Sequence, residues 1–252
     1  MKQTLPPRLA DWFTTQGWQP HRHQMEMLRA PGHALLIAPT GGGKTLAGFL
    51  PTLADACTGD MGDGMHTLYV SPLKALTHDI ARNLQRPVAD LGLDLRIEDR
   101  TGDTAASRRA RQRVDPPQVL LTTPESLALM LSYPEAPRIF AGLRRVVIDE
   151  IHALADSKRG DQLALGLSRL MSLAPGLRMA GLSATVENPS ALAQFMGGAD
   201  VVLADPGPAP DIAMLPTTAT PPWSGAGGAY AARDVLAAIR EARLTLVFIN
   251  TR

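Results

Sequence analysis

The string Ala38-Pro39-Thr40-Gly41-Gly42-Gly43-Lys44-Thr45 constrains this chain more than any other. An apolar run over residues 33–38 leads into it, and a helix-like segment leads out. Strand, glycine-rich turn and helix, in that order, are the context of a phosphate-binding loop. Glycines let the backbone curl until successive N–H groups face a phosphate, and the helix N-terminus adds a favourable dipole. Thr40, Gly41, Gly42 and Gly43 would cradle the phosphates of ATP, with Lys44 reaching the β- and γ-phosphates. The Thr45 hydroxyl would ligate Mg²⁺. Ala38 stands where the usual eight-residue pattern begins with glycine. The competing reading, a turn that merely caps a helix, is disfavoured by the strand in front of it.

Four more apolar runs follow, over residues 67–71, 118–122, 144–149 and 178–183. Between them, Leu73, Leu76, Ile80 and Leu84 recur at helical spacing, as do Leu163, Leu167 and Leu170. Strands apolar throughout, alternating with helices, predict an open α/β fold: a mostly parallel sheet covered by helices on both faces. A hydrophobic fraction of 45% supplies the core. Residues 1–203 form the expected main domain. Residues 204–230, rich in proline and glycine, read as a linker with an extended segment around 211–215. Residues 231–243 read as a helix and 244–250 as a strand, so 231–252 are expected to open a second α/β domain.

The formal net charge is +1, so any nucleic-acid-binding surface must be local. Cys57 is the single cysteine, which excludes an internal disulfide and suits a reduced cytoplasm. No apolar leader and no run of about 18 apolar residues is present, so neither secretion nor a membrane partner is expected. Trp12, Phe13 and Trp18 are expected mainly in the core rather than stacked on a base. His21 and His23 lack partners at zinc-ligand spacing. Pro51 interrupts the helix after the glycine-rich loop and is expected to kink it.

Asp149-Glu150-Ile151-His152 ends the fourth apolar run. Ligands of open α/β sheets bind at the carboxyl ends of the strands, where the glycine-rich loop also lies. Asp149 can hold Mg²⁺ through water, and Glu150 can orient and deprotonate an attacking water. With Lys44, these two acids make a catalytic set.

These strings together resemble the superfamily-2 helicases of the DExH-box type. Residues 38–45 resemble motif I and residues 149–152 motif II, while Ser183-Ala184-Thr185 resembles motif III. Tyr69-Val70-Ser71-Pro72-Leu73-Lys74-Ala75-Leu76 is similar to motif Ia, Thr101-Gly102-Asp103-Thr104 to motif Ib, and Thr122-Thr123-Pro124-Glu125-Ser126 to the motif that follows. Residues 247–252 resemble motif IV. Ser71-Pro72-Leu73-Lys74-Ala75-Leu76, Gly102-Asp103-Thr104 and Ser157-Lys158-Arg159-Gly160 resemble the large helicase-related (Lhr-like) group. Pro20-His21-Arg22-His23-Gln24 and Ala47-Gly48-Phe49-Leu50-Pro51 look most like the bacterial DNA-ligase-associated DExH helicases.

The resemblance implies a RecA-like P-loop NTPase domain and the start of a second. It implies ATP-driven 3′-to-5′ movement on single-stranded DNA in DNA repair, with an ATP-dependent DNA ligase and a nuclease as partners. Gln24 sits where the family reads adenine. His152, Ser183 and Thr185 would couple nucleotide state to the nucleic-acid groove. Pro72, Lys74, Gly102, Asp103, Thr104, Thr123, Pro124 and Glu125 would track the sugar-phosphate backbone. Their chemistry suits that role. Lys74 offers charge, Thr77, Thr104, Thr123 and Ser126 offer hydroxyls, and the helix starts after Ser71 and Thr123 offer N–H groups. Arg108, Arg109, Arg111 and Arg113 either add a phosphate-binding cluster or form a solvated face offset by Glu98, Asp99 and Asp103. Two alternatives stay open: an RNA helicase, and a binding module without turnover of its own. The second has a physical basis, because hydrolysis in this superfamily draws on arginines of the second motor domain.

Overall fold

The five strands expected within residues 1–203 all form, within a single seven-stranded sheet. The computed structural model describes residues 4–184, 186–207, 211–217, 219–220, 223 and 229–248. The strands are β1 (Ala34–Ile37), β2 (Thr67–Val70), β3 (Ile97–Arg100), β4 (Val119–Thr122), β5 (Arg145–Ile148), β6 (Arg178–Ser183) and β7 (Asp200–Leu203). Their order across the sheet is β3-β4-β2-β5-β6-β1-β7, and every pairing is parallel. Parallel strands need helical crossovers, which cover both faces and keep the central strands apolar throughout.

The helices in chain order are α1 (Pro7–Thr15), α2 (Arg22–Arg29), α3 (Lys44–Thr58), α4 (Lys74–Asp90), α5 (Ala106–Val114) and α6 (Pro124–Leu131). They continue with α7 (Ala136–Phe140), α8 (His152–Ala155), α9 (Lys158–Leu173), α10 (Pro189–Phe195) and α11 (Ala232–Glu241). Side-chain alternation along the strands divides the interior into two cores. Ala34, Leu36, Tyr69, Leu121 and Val147 join residues of α1, α2, α3 and α4 on one face. Leu35, Ile37, Leu68, Val70, Val146 and Ile148 join α6, α7, α9 and α10 on the other. Trp12 and Phe13 are buried in the first core, while Trp18 is half exposed. Helix α3 continues through Pro51.

The two strands that the apolar pattern missed, β3 and β7, are the two sheet edges. β3 spells Ile-Glu-Asp-Arg, and its charges are satisfied from α5. Arg111 donates to Glu98 at 2.7 Å and Arg108 to Asp99 at 3.0 Å. At the amino end of the central strands, Asp55 of α3 accepts from Arg145 Nη2 at 2.6 Å, and His66 Nε2 lies 3.3 Å away.

The chain divides into two compact units, residues 1–207 and 208–252. In the second, α11 forms within the expected helical stretch. The expected strand over 244–250 is absent from its described part: residues 244–248 carry no ladder, and Leu244, Leu246 and Phe248 are exposed. An apolar β-prone sequence becomes a strand only when a partner supplies hydrogen bonds. Residues 249–250, and with them most of the motif IV resemblance, lie outside the described residues. Residues 211–217 carry no regular secondary structure.

Candidate nucleotide and nucleic-acid site

The glycine-rich loop leaves β1 and closes on the first turn of α3. Gly41 and Gly43 have φ of 80° and 73°, a region that suits glycine and strains other residues. Gly42 N–H turns back to Pro39 O at 3.0 Å, and Ala38 N–H ties the end of β1 to Ser183 O of β6 at 3.1 Å. Lys44 Nζ donates to Ala38 O at 3.1 Å and Pro39 O at 3.2 Å, within the loop's own curl. Thr40 is exposed at the tip, and Thr45 sits partly buried on α3.

Helix α2 braces this loop from outside. His21 N–H donates to Gln24 Oε1 at 2.9 Å, which orients the amide so that Nε2 points to Gly43 O at 3.4 Å. His23 Nε2 lies 2.9 Å from Gly42 O, and burial pulls its pKa below the ordinary imidazole value. A neutral ring with its proton on Nε2 can donate that bond. Gln24 thus reaches the loop, as the family resemblance implies, and His23, which carries no expected role, joins it there.

Asp149 and Glu150 follow β5. Asp149 is buried, and its Oδ1 accepts from Glu150 N–H at 3.0 Å. Burial pushes the Asp149 carboxyl above its ordinary range, and the Glu150 charge acts in the same direction. Glu150 has φ of 46°, the one positive value for a non-glycine among the described residues. His152 Nδ1 lies 3.0 Å from Ser183 Oγ and 3.5 Å from Glu150 Oε2. The acid, the histidine and the serine that ends β6 therefore form one contact chain. Thr185 lies outside the described residues.

The donor set fits Mg²⁺. Beneath Asp149, the fully buried Tyr69 hydroxyl makes no hydrogen bond of good geometry among the described residues. Burial first, and then the Asp149 charge, push its pKa well up, while Thr45 opposes the shift. Asp149 and Thr45 thus flank one buried hydroxyl and offer hard oxygen donors. A divalent cation there would relieve the cost of burying the Asp149 charge. Among the described residues no three acidic, histidine or cysteine side chains converge as a metal cage. That donor set suits an ion that keeps waters and nucleotide phosphates as its remaining ligands.

Three further strands, β2, β3 and β4, lead into the nucleic-acid candidates. Pro72 and Lys74 follow β2, Gly102, Asp103 and Thr104 follow β3, and Thr123, Pro124 and Glu125 follow β4. Lys74 Nζ pairs with Asp103 at 3.2 Å, linking the first two loops. Three of the hydroxyls expected to face phosphate are engaged within their own loops instead. Thr77 Oγ1 donates to Leu73 O at 3.1 Å. Thr104 Oγ1 accepts from Thr101 N–H at 2.9 Å. Thr123 Oγ1 caps α6 by accepting from Ser126 N–H at 3.4 Å. All three side chains are buried, so they shape the loops rather than face solvent. Three of the four arginines of α5 take the paired reading: Arg108 and Arg111 face Asp99 and Glu98, and Arg113 bonds Glu135 at 2.7 Å over the Tyr133 ring. Asp103 is held by Lys74 rather than by these arginines.

Residues 21–192 match the DEAD/DEAH box helicase family. The Lhr helicase/uracil glycosylase of Escherichia coli K12 is 40% identical over 220 residues, covering 79% of this chain and 14% of that protein. The ATP-dependent helicase Lhr-Core of Methanothermobacter thermautotrophicus is 38% identical over 210 residues, covering 77% of this chain and 24% of that protein. The structure of Mycobacterium smegmatis helicase Lhr bound to ssDNA and AMP-PNP matches with a TM-score of 0.76 at 34% identity, over 94% of this chain and 32% of that one. The chain spans under a third of the length of each of these relatives. With the match running from the start of α2 into α10, and its motifs gathered at the carboxyl ends of the strands of one sheet, this chain belongs to the DEAD/DEAH box helicase family.

Proposed function

We propose that this domain binds ATP with Mg²⁺ and, as the first motor half of a helicase, couples hydrolysis to movement along single-stranded DNA. One observation carries the reading: the carboxyl edge of a single parallel sheet is divided between two roles. The carboxyl ends of β1, β5 and β6 carry the glycine-rich loop, Asp149, Glu150 and Ser183, while the loops after β2, β3 and β4 hold the nucleic-acid candidates. In this reading Lys44 leaves the loop carbonyls for the β- and γ-phosphates, and Thr45 and Asp149 hold the cation. Gln24 reads the adenine, Glu150 activates water, and His152 and Ser183 sense the outcome. Residues 1–203 are the motor domain, 204–230 the linker, and 231–252 the opening of a second one. Because the chain is a minor part of its relatives' length, turnover is assigned to the whole motor, and the 252-residue chain alone is expected to bind more than it hydrolyses.

The relative solved with ssDNA and AMP-PNP supports DNA over RNA. Repair of DNA in the cytoplasm, beside a ligase and a nuclease, is the setting this reading implies. Among the described residues no helix is long and apolar enough to cross a membrane. The test is ATPase activity of the full-length protein with and without single-stranded DNA. Stimulation by DNA, lost in Lys44→Ala and in Glu150→Gln, is the expected result. Wild-type turnover in both variants would overturn it, and preferential competition by RNA of matched sequence would reassign the substrate.

A further inference from the structure

Ser157-Lys158-Arg159-Gly160 was singled out by the family resemblance, yet none of the roles above uses it. It follows Glu150 on the nucleotide half of the sheet edge, and its Arg159 side chain reaches the loops after β2 and β4 on the nucleic-acid half. Helix α8 begins at His152, directly after Glu150, and Ser157 joins its end to α9. Ser157 Oγ donates to Leu154 O at 2.7 Å and accepts from Gly160 N–H at 3.2 Å. Gly160 is buried, and a Cβ placed there would fall 2.1 Å from Leu154 O. The first turn of α9 is thus seated against α8 with no room for a side chain at that position. Arg159 sits within this turn. Its Nε donates to Glu125 Oε1 at 2.5 Å, and its Nη2 donates to Pro72 O at 2.8 Å and to Glu125 Oε2 at 3.3 Å.

One guanidinium therefore bridges the loop after β2, the loop after β4 and the segment that follows motif II. A planar fork suits such a bridge, because its donors are fixed relative to one another. Charge gives it a second role. Glu125 is half exposed at a surface proposed to receive a polyanion. Burial raises its carboxyl pKa, but the Arg159 bond and charge outweigh this and hold it below the ordinary range, so it stays ionised and paired.

We propose that Arg159 is a positioning residue for nucleic acid. It sets the spacing of the Pro72 and Glu125 loops, masks the Glu125 charge, and passes displacements of α8 on to both. The proposal rests on the nucleic-acid reading of this sheet edge. It is tested with the unaltered protein, Arg159→Ala, Arg159→Lys and Arg159→Ala/Glu125→Gln, using fluorescein-labelled oligo-dT anisotropy over a salt series, with and without AMP-PNP. Arg159→Ala is expected to weaken oligo-dT binding about tenfold, as loss of a charge-assisted bidentate contact does. The salt slope should stay at the wild-type value, because no phosphate contact is removed. Arg159→Lys should behave like the alanine variant, and Glu125→Gln should restore part of the loss by removing the unmasked charge. Any change in oligo-dT affinity on adding AMP-PNP to the unaltered protein should shrink in Arg159→Ala. Unchanged oligo-dT affinity in Arg159→Ala would overturn the proposal. So would a slope lower by about 0.7, the mark of a direct phosphate contact. Failure of the underlying reading looks different: the unaltered protein would bind nucleotide but no oligo-dT, which removes both.

Discussion

Glu150 and Gly43 occupy the same left-handed backbone region for opposite reasons. Gly43 is there at no cost, and a Cβ at that position would lie 2.8 Å from Gln24 Nε2. Gly43→Ala is expected to cost about 1–2 kcal/mol of stability, from the left-handed conformation, and to weaken ATP binding by displacing the Gln24 amide. Thermal melts and nucleotide titration read the two effects. Glu150 holds its φ of 46° under strain. Glu150→Gly should relieve that strain and stabilise the fold by up to about 1 kcal/mol, net of the added freedom of the unfolded chain, while removing turnover. A variant that melts well below the wild type would show the strain to be absent. At this scale the glycine-rich loop and the two acids were legible, because backbone curvature and charge at a strand end can be read one residue at a time. His23, Arg159 and the inward Thr104 and Thr123 hydroxyls were not. Their partners Gly42, Pro72, Thr101 and Ser126 are backbone groups or loop neighbours, and nothing in the side-chain pattern announces them.

Among the elements, legibility followed depth in the sheet. β1, β2, β4, β5 and β6 are covered on both faces and read as apolar runs. β3 carries Glu98 and Arg100 inside, and β7 is mostly exposed, so neither has that signature. The strand predicted over 244–250 shows the converse error, apolar sequence without a ladder. Helix α3 reveals how the elements are fastened away from the site. Burial alone would raise the Asp55 pKa, but His66 and Arg145 outweigh it, so the folded carboxyl sits below its ordinary value. A lowered carboxylate pKa stabilises the fold fully above the unfolded value, near pH 4, and the stabilisation is lost as pH falls through the folded value. Asp55→Asn is expected to cost about 2 kcal/mol at neutral pH, by leaving the partly buried Arg145 without its charged partner. It should also flatten the acid limb of a stability–pH profile. A profile that keeps its acid limb would place the titration elsewhere.

For the molecule as a whole, both hydrophobic cores lie within residues 1–207, and α11 buries no side chain. A chain ending at Gly207 is expected to melt within about 2 °C of the 252-residue chain and to bind AMP-PNP equally well. A large drop in melting temperature would assign the second unit a share in the core. The strand order has a consequence for synthesis. β1 leaves the ribosome early, but its two neighbours in the sheet, β6 and β7, are made last. At ordinary rates of translation the Ala-Leu-Leu-Ile segment waits on the order of ten seconds without a partner, an apolar edge open to stray pairing. Nascent chains arrested near residue 175 should therefore need chaperone shelter and fail to retain nucleotide, whereas those arrested with residue 207 outside the ribosome should do neither. The part of the chain most easily recognised in the sequence is among the last to become functional as the protein is made.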